Sequence, residues 1–179
     1  MNPNLLQPTI IEWLNAGRSK SHILHLLQWI GTDKDKIAAL MDVFFGPHQR
    51  LAELVAWAVG DLGYKHPELL QPWLPQLVAI LHNNTVHDAV HRNSLRILMK
   101  SDIPEDLLDS CTEACFLLAD NPKTAVAIRA FSIHILVDIC KEIPELWPEL
   151  QYLLEYHTPE GTPALKNLGK KILARIPKN

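Results

Sequence analysis

The fold is decided by the stretch Ile128-Arg129-Ala130-Phe131-Ser132-Ile133-His134-Ile135-Leu136, which Asp120-Asn121-Pro122 introduces. Its apolar residues recur at spacings of three and four, which is typical of an α-helix with a buried face. An earlier stretch, Asp88-Ala89-Val90-His91-Arg92-Asn93-Ser94, has the same order of apolar, polar and small residues, and its His91 precedes Arg129 by 38 positions. The pair therefore predicts a helix that recurs along the chain.

The recurrence extends to four copies. The aligned positions are 38, 38 and 37 residues apart: Glu53, His91, Arg129 and Lys166. The residue three positions later is small in every copy: Ala56, Ser94, Ser132 and Gly169. A period of this length is the signature of a two-helix repeat that buries its apolar face by stacking on its neighbours. A small residue at mid-helix lets adjacent axes approach to the ~8–10 Å of ordinary helix packing.

These stretches resemble the first helix of a HEAT repeat, in which Asp-x-x precedes a Val-Arg-x-x-Ala-x-x-x-Leu pattern. His91 stands where that family usually has arginine. The resemblance covers residues 47–176, and more loosely 19–46. It implies an all-α fold, a right-handed α-α superhelix of about four to five stacked helical hairpins with about ten helices. It also implies that the second helix of each hairpin lines the concave side.

Glycine, proline and asparagine residues divide the chain into segments of helical length. We expect one domain over 1–179, with an N-terminal cap helix (1–18), hairpin repeats at 19–46, 47–84, 85–121 and 122–160, and a C-terminal capping helix (161–179). The expected first helices are 19–30, 47–62, 85–100, 122–141 and 161–175. The expected second helices are 33–45, 68–82, 104–119 and 144–157.

Composition limits the class of protein. Hydrophobic residues make up 47% and charged residues 21% of the chain, which is close to the average of globular proteins. No apolar run approaches the ~18 residues of a membrane span, and Met1-Asn2-Pro3-Asn4 lacks the pattern of a secretory signal. Three cysteines without framework spacing, Cys111, Cys115 and Cys140, predict reduced core residues. We therefore expect a cytoplasmic protein that does not bind membranes.

Charge separates by helix type. Residues 101–121 contain six acidic residues and 142–160 contain five, and neither segment has a lysine or arginine. Both segments carry predicted second helices, so the C-terminal half of the implied groove should be acidic and attract a protein or a basic peptide. The contact residues that we predict are Glu105, Asp109, Glu113, Glu149 and Glu155. The alternative is a solvated face that serves only solubility.

Two further hypotheses come from other residue types. His82, His87 and His91 cluster around one turn, and the spacing of four between the last two is compatible with metal binding, although a structural role is the commoner one for such histidines. The chain also resembles HEAT-like alkylpurine DNA glycosylases in residue types, with Trp57 and Asp61 near Arg50 or Arg92. A net charge of −3 disfavours nucleic acid as a partner.

The leading hypothesis is a non-enzymatic binding scaffold. No glycine-rich phosphate loop, nucleophile elbow or Cys-x-x-Cys pair is present, and no cofactor is predicted. The sequence leaves the oligomeric state open.

Overall fold

The computed structural model describes residues 5–17, 19–157 and 159–176, and the regular elements in these ranges are all helical. The ten α-helices are α1 Leu6–Ala16, α2 Lys20–Ile30, α3 Lys34–Phe44, α4 Gln49–Lys65, α5 Leu74–Ala79, α6 Asp88–Leu98, α7 Glu105–Asp120, α8 Val126–Glu142, α9 Trp147–His157 and α10 Pro163–Leu173. They confirm the predicted all-α fold with about ten helices. None of these helices has both the length and the apolarity needed to cross a lipid bilayer.

The chain forms two compact units, residues 1–102 and 103–179. In the first unit, α4 contacts both α2 and α6, which are also predicted first helices, and α1 contacts α3. In the second unit, α8 contacts α10, and the second helices α7 and α9 contact each other. First helices therefore lie beside first helices in both units, and second helices lie beside each other in the second unit, as stacking of hairpins requires. The single domain over 1–179 stays a prediction, and residues 1–4, 18, 158 and 177–179 of its proposed segments lie outside the described residues.

The small repeat positions are in the core. Ala56, Ser94 and Ser132 have no exposed surface, and Gly169 is also buried. Helices α4 and α6 approach closely at Gly60, where an added Cβ atom would lie 2.1 Å from Oδ1 of Asn93. No side chain fits in such a gap, so these two helices pack with backbone against side chain at this point.

The predicted second helix at 68–82 differs from the expected continuous α-helix. It consists of a 3-10 segment at Pro67–Trp73, the short helix α5 and a 3-10 turn at Ile80–His82. Pro72 lies inside the first 3-10 segment and Pro75 in the first turn of α5. Proline has no N–H group and its ring clashes with the carbonyl group four residues earlier, so it interrupts the α-helical hydrogen bonds. The apolar spacing survives this change because Leu70, Leu74, Leu77 and Leu81 are all buried.

In α2, α6 and α8, which are predicted first helices, a side chain near the start of the helix hydrogen-bonds to a backbone carbonyl group near the end of the preceding helical segment. Nε of Arg129 donates to the carbonyl oxygen of Ala119 at 2.9 Å. Nε2 of His91 lies 3.0 Å from the carbonyl oxygen of Ile80, and Nε2 of His22 lies 2.6 Å from that of Trp13. In both histidines the ring nitrogen is the donor, since a carbonyl oxygen only accepts. These contacts give additional donors to carbonyl groups near the ends of helical segments, although the carbonyl oxygen of Ile80 also accepts from the backbone N–H of Asn83.

Two substitutions at Ser132 separate size from polarity. Its hydroxyl is buried and has no hydrogen-bond partner. Ser132→Leu should lower the free energy of unfolding by about 1 to 3 kcal/mol because the core has no room for the added atoms. Ser132→Ala should leave it unchanged or raise it by up to about 1 kcal/mol, since it removes an unsatisfied polar group. Urea denaturation followed by circular dichroism measures both, and a stable Ser132→Leu variant would contradict the role of the small position.

Arg129→Ala tests the contact between helix ends. Loss of a buried, charged hydrogen-bond donor should cost about 2 kcal/mol. Arg92→Ala is the control, because Arg92 is the residue after the aligned position in α6 and is exposed. Its effect should stay within about 0.5 kcal/mol. Equal effects of the two substitutions in the same denaturation assay would refute the structural role of Arg129.

Candidate partner-binding surface

Helix α7 carries three of the predicted contact residues on one side. Glu105, Asp109 and Glu113 are four residues apart and exposed, and Leu117, one turn further on, is 60% exposed. Glu105 lies in the first turn, where a negative charge interacts favourably with the helix dipole. The opposite side packs in the core through five residues: Cys111, Ala114, Cys115, Leu118 and Ala119. In α7 the acidic residues therefore lie on the exposed side of the helix and these apolar residues on the buried side.

Helix α9 carries the other two predicted contacts. Its buried side consists of Leu150, Leu153 and Leu154. Glu149 and Glu155 are exposed, and Nε2 of Gln151 donates to Oε1 of Glu155 at 2.7 Å. All five predicted acids are therefore on the surface, and none of them takes part in an ion pair with another described residue.

Two tyrosines that sequence reasoning missed lie on α9. Tyr152 is 72% exposed and Tyr156 is 68% exposed. The ring of Tyr156 stands edge-on to that of His157, with centroids 4.9 Å apart. The leucine spacing could have shown that both tyrosines fall outside the buried side of α9. Large aromatic side chains with this much exposed surface are typical of binding surfaces.

A polar contact joins the C-terminal ends of α7 and α9. Nε2 of His157 lies 2.8 Å from Oδ1 of Asp120, the last residue of α7. The two helices also contact each other at other residues. We call the exposed side chains of this pair the second-helix surface, and it consists of Glu105, Asp109, Glu113, Leu117, Glu149, Tyr152, Glu155 and Tyr156. It combines negative charge with exposed apolar and aromatic groups.

The cysteines lie beneath this surface rather than on it. Cys111, Cys115 and Cys140 are free and buried, as predicted. Contact with the Cys111 thiol and burial both raise the pKa of Cys115 well above its usual value. A protonated, buried thiol is a weak nucleophile. The same contact lowers the pKa of Cys111, so the weak nucleophile of the pair is Cys115. All three cysteines are fully buried and contribute volume to the core.

The three candidate histidines have separate positions. His91 is buried, and its Nε2 atom donates a hydrogen bond to the carbonyl oxygen of Ile80. Nδ1 of His87 accepts a hydrogen bond from the backbone N–H of Ala89 and caps α6, while Nε2 lies 3.8 Å from Oε1 of Glu53. His82 is exposed at the end of a 3-10 turn. In the described ranges, no three or more His, Cys, Asp or Glu side chains are grouped so that they could hold a metal ion.

The nucleic-acid hypothesis names Trp57, Asp61, Arg50 and Arg92. Trp57 and Asp61 lie one turn apart on α4. Oδ2 of Asp61 accepts a hydrogen bond from Nζ of Lys65 at 2.9 Å, and Oδ1 lies 3.9 Å from Nη2 of Arg96. Arg50 and Arg92 are exposed. The carboxylate that this hypothesis needs as a reactive group is thus already engaged by two cations of the same unit.

A family model for the HEAT repeat domain matches residues 10–176. The chain therefore belongs to the HEAT repeat family, as the pattern around Arg129 indicated. This membership is consistent with a repeat-type scaffold for protein interactions. Searches of curated proteins and of solved structures found no match.

The metal hypothesis leads to a prediction about chelation. We expect EDTA to leave the thermal midpoint unchanged, and elemental analysis of untagged protein to find no stoichiometric zinc or nickel. His91→Ala should lower the free energy of unfolding by about 0.5 to 1.5 kcal/mol with or without EDTA, since it removes one of two donors to the carbonyl oxygen of Ile80. A midpoint that falls on chelation in the wild type, but not in His91→Ala, would instead assign His91 to a metal site.

Proposed function

We propose that this protein is a non-enzymatic scaffold that binds a basic protein segment at the second-helix surface. The observation that carries the proposal is a set of five exposed carboxylates without ion-pair partners, on two contacting helices that also expose two tyrosines and a leucine. Family membership supports the scaffold class.

Electrostatics supports a basic partner. Residues 101–121 and 142–160 contain no lysine or arginine, and none of the five predicted contact acids forms an ion pair with another described residue. A surface of one sign raises the association rate of an oppositely charged partner and disfavours partners of like charge. The carboxylates at Asp109 and Glu113 are central to this field because they lie in the middle turns of α7.

The exposed tyrosines and leucine indicate that the partner has apolar residues as well as basic ones. Tyrosine is enriched among the residues that dominate binding energy, because its ring buries a large area and its hydroxyl bonds at the rim. Its ring also attracts lysine and arginine side chains. A helix that served only solubility would not need Tyr152 and Tyr156 at these exposures. The favoured partner is therefore a segment in which lysines and arginines alternate with apolar residues.

Charge reversal tests the proposal with a defined probe. The probe is a fluorescein-labelled amphipathic peptide of leucine, lysine and arginine, compared with a counterpart that has glutamate at every basic position. We expect Asp109→Lys with Glu113→Lys to weaken binding of the basic peptide at least about tenfold in fluorescence anisotropy. The acidic peptide should not bind the wild type.

The matched control reverses two acids of the first unit, Glu12→Lys with Asp42→Lys. Both residues are exposed, and the change in net charge is the same. This variant should bind the basic peptide within about threefold of the wild type. Equal weakening by both double variants would mean that the peptide responds only to the net charge of the protein, which would contradict a binding site on α7. Binding of duplex DNA at low salt, without binding of the peptide, would favour the nucleic-acid hypothesis instead.

Tyr152→Ser with Tyr156→Ser tests the apolar contribution separately. This variant should weaken binding of the basic peptide while leaving its salt dependence unchanged, because no charge is lost. Asp109→Lys with Glu113→Lys should flatten the salt dependence. If the tyrosine variant binds like the wild type, the acidic residues alone attract the peptide and the aromatic part of the proposal is wrong.

A further inference from the structure

The second unit contains a cavity of about 650 Å³ between the first helices α8 and α10. Val137, Cys140 and Lys141 line it from α8, and Leu168, Lys171 and Ile172 line it from α10. In each helix these residues are three and four positions apart, so one side of each helix faces the cavity. Trp147, at the start of α9, also lines it. The size falls within the ~300–1,000 Å³ of typical small-molecule sites.

The walls of this cavity are mostly apolar. Val137, Leu168 and Ile172 supply aliphatic groups, and Trp147 supplies an aromatic face. Burial raises the pKa of the Cys140 thiol to about 11, with a further contribution from the charge of Glu149. The thiol is therefore protonated at neutral pH and adds to the apolar wall. An unbranched chain or a ring is the kind of group that such walls accommodate.

The rim of the cavity carries positive charge that is not neutralised. Nζ of Lys141 forms an ion pair with Oδ1 of Asp138, so these two charges offset each other. Lys171 and Arg175 also line the cavity and are exposed, and neither forms an ion pair with another described residue. Lys171 lies in the last turn of α10 and Arg175 in the turn that follows the helix, and both line the same cavity.

We propose that this cavity binds a small amphiphilic carboxylate. The apolar chain or ring lies against Val137, Leu168 and Trp147, and the carboxylate contacts Lys171 and Arg175. Arginine and lysine both donate strong hydrogen bonds to a carboxylate, and arginine can do so with two parallel N–H groups. Most of the site is formed by the first helices α8 and α10, and its α9 residue, Trp147, is not one of the residues of the second-helix surface. The variants below test it independently of the basic-peptide proposal.

Isothermal titration calorimetry on the full chain tests this site with dodecanoate below its micelle concentration. Dodecan-1-ol and dodecyltrimethylammonium are the matched ligands, with the same chain and a neutral or cationic head. We expect saturable 1:1 binding of dodecanoate, weaker binding of the alcohol and no binding of the cation. Equal binding of all three, or no saturable heat with dodecanoate, would overturn the proposal.

Two pairs of variants locate the carboxylate. Lys171→Ala with Arg175→Ala should weaken dodecanoate binding by about tenfold or more and leave the alcohol unaffected. Lys166→Ala with Lys170→Ala removes the same charge from the same helix outside the cavity lining, and it should change the affinity by less than about twofold. Equal weakening by the two pairs would mean that dodecanoate responds to net charge only, which refutes the site.

Leu168→Trp tests the cavity itself, because the larger ring should fill the space and abolish binding of both dodecanoate and the alcohol. Circular dichroism verifies that this variant is folded, and the exposed Lys171 and Arg175 pair provides the test if it is not. Binding that survives in folded Leu168→Trp would show adsorption at the surface. Attachment of the wild type to vesicles of an anionic phospholipid, without binding of free dodecanoate, would indicate a membrane surface as the ligand and contradict a single-molecule site.

Discussion

The structure depends on how the end of one helical segment is fixed to the start of the next first helix. Carbonyl groups in the last turn of a helix have no partner in that helix, and burying them unpaired is costly. Arg129 supplies a donor to Ala119 in the second unit, and His91 supplies one to Ile80 in the first. These two donors occupy aligned positions, so between α6 and α8 the repeat in the sequence is also a repeat of this contact. With the helix ends held together in this way, the small residues let adjacent first helices pack closely.

Much of the fold could be predicted because its determinants are local and periodic. The stretch around Arg129 and its copy around His91 gave the period, and the small residues Ala56, Ser94 and Ser132 proved to be buried. The continuous helix expected at 68–82 was wrong in detail. Proline competes there with an apolar spacing that is satisfied equally by 3-10 and α-helical turns, so the spacing alone could not decide between them.

The candidate site was less accessible to sequence reasoning. Acidic residues on α7 and α9 were found because charge composition can be counted along the chain. The exposure of Tyr152 and Tyr156 depends on which side of α9 the leucines bury, and that requires knowing where α9 packs. The cavity between α8 and α10 joins residues about thirty positions apart, such as Val137 and Leu168, and only the folded unit brings them together.

The burial of Ser94 and Ser132 without any hydrogen-bond partner has an evolutionary consequence. These positions demand a small volume and nothing more specific, so alanine, serine and glycine can replace one another there during divergence. The repeat thus needs one small residue per hairpin, an apolar core that other aliphatic residues could also fill, and at two aligned positions a donor that is histidine in one copy and arginine in the other. Lineages built in this way can preserve their architecture long after pairwise resemblance between their members has faded.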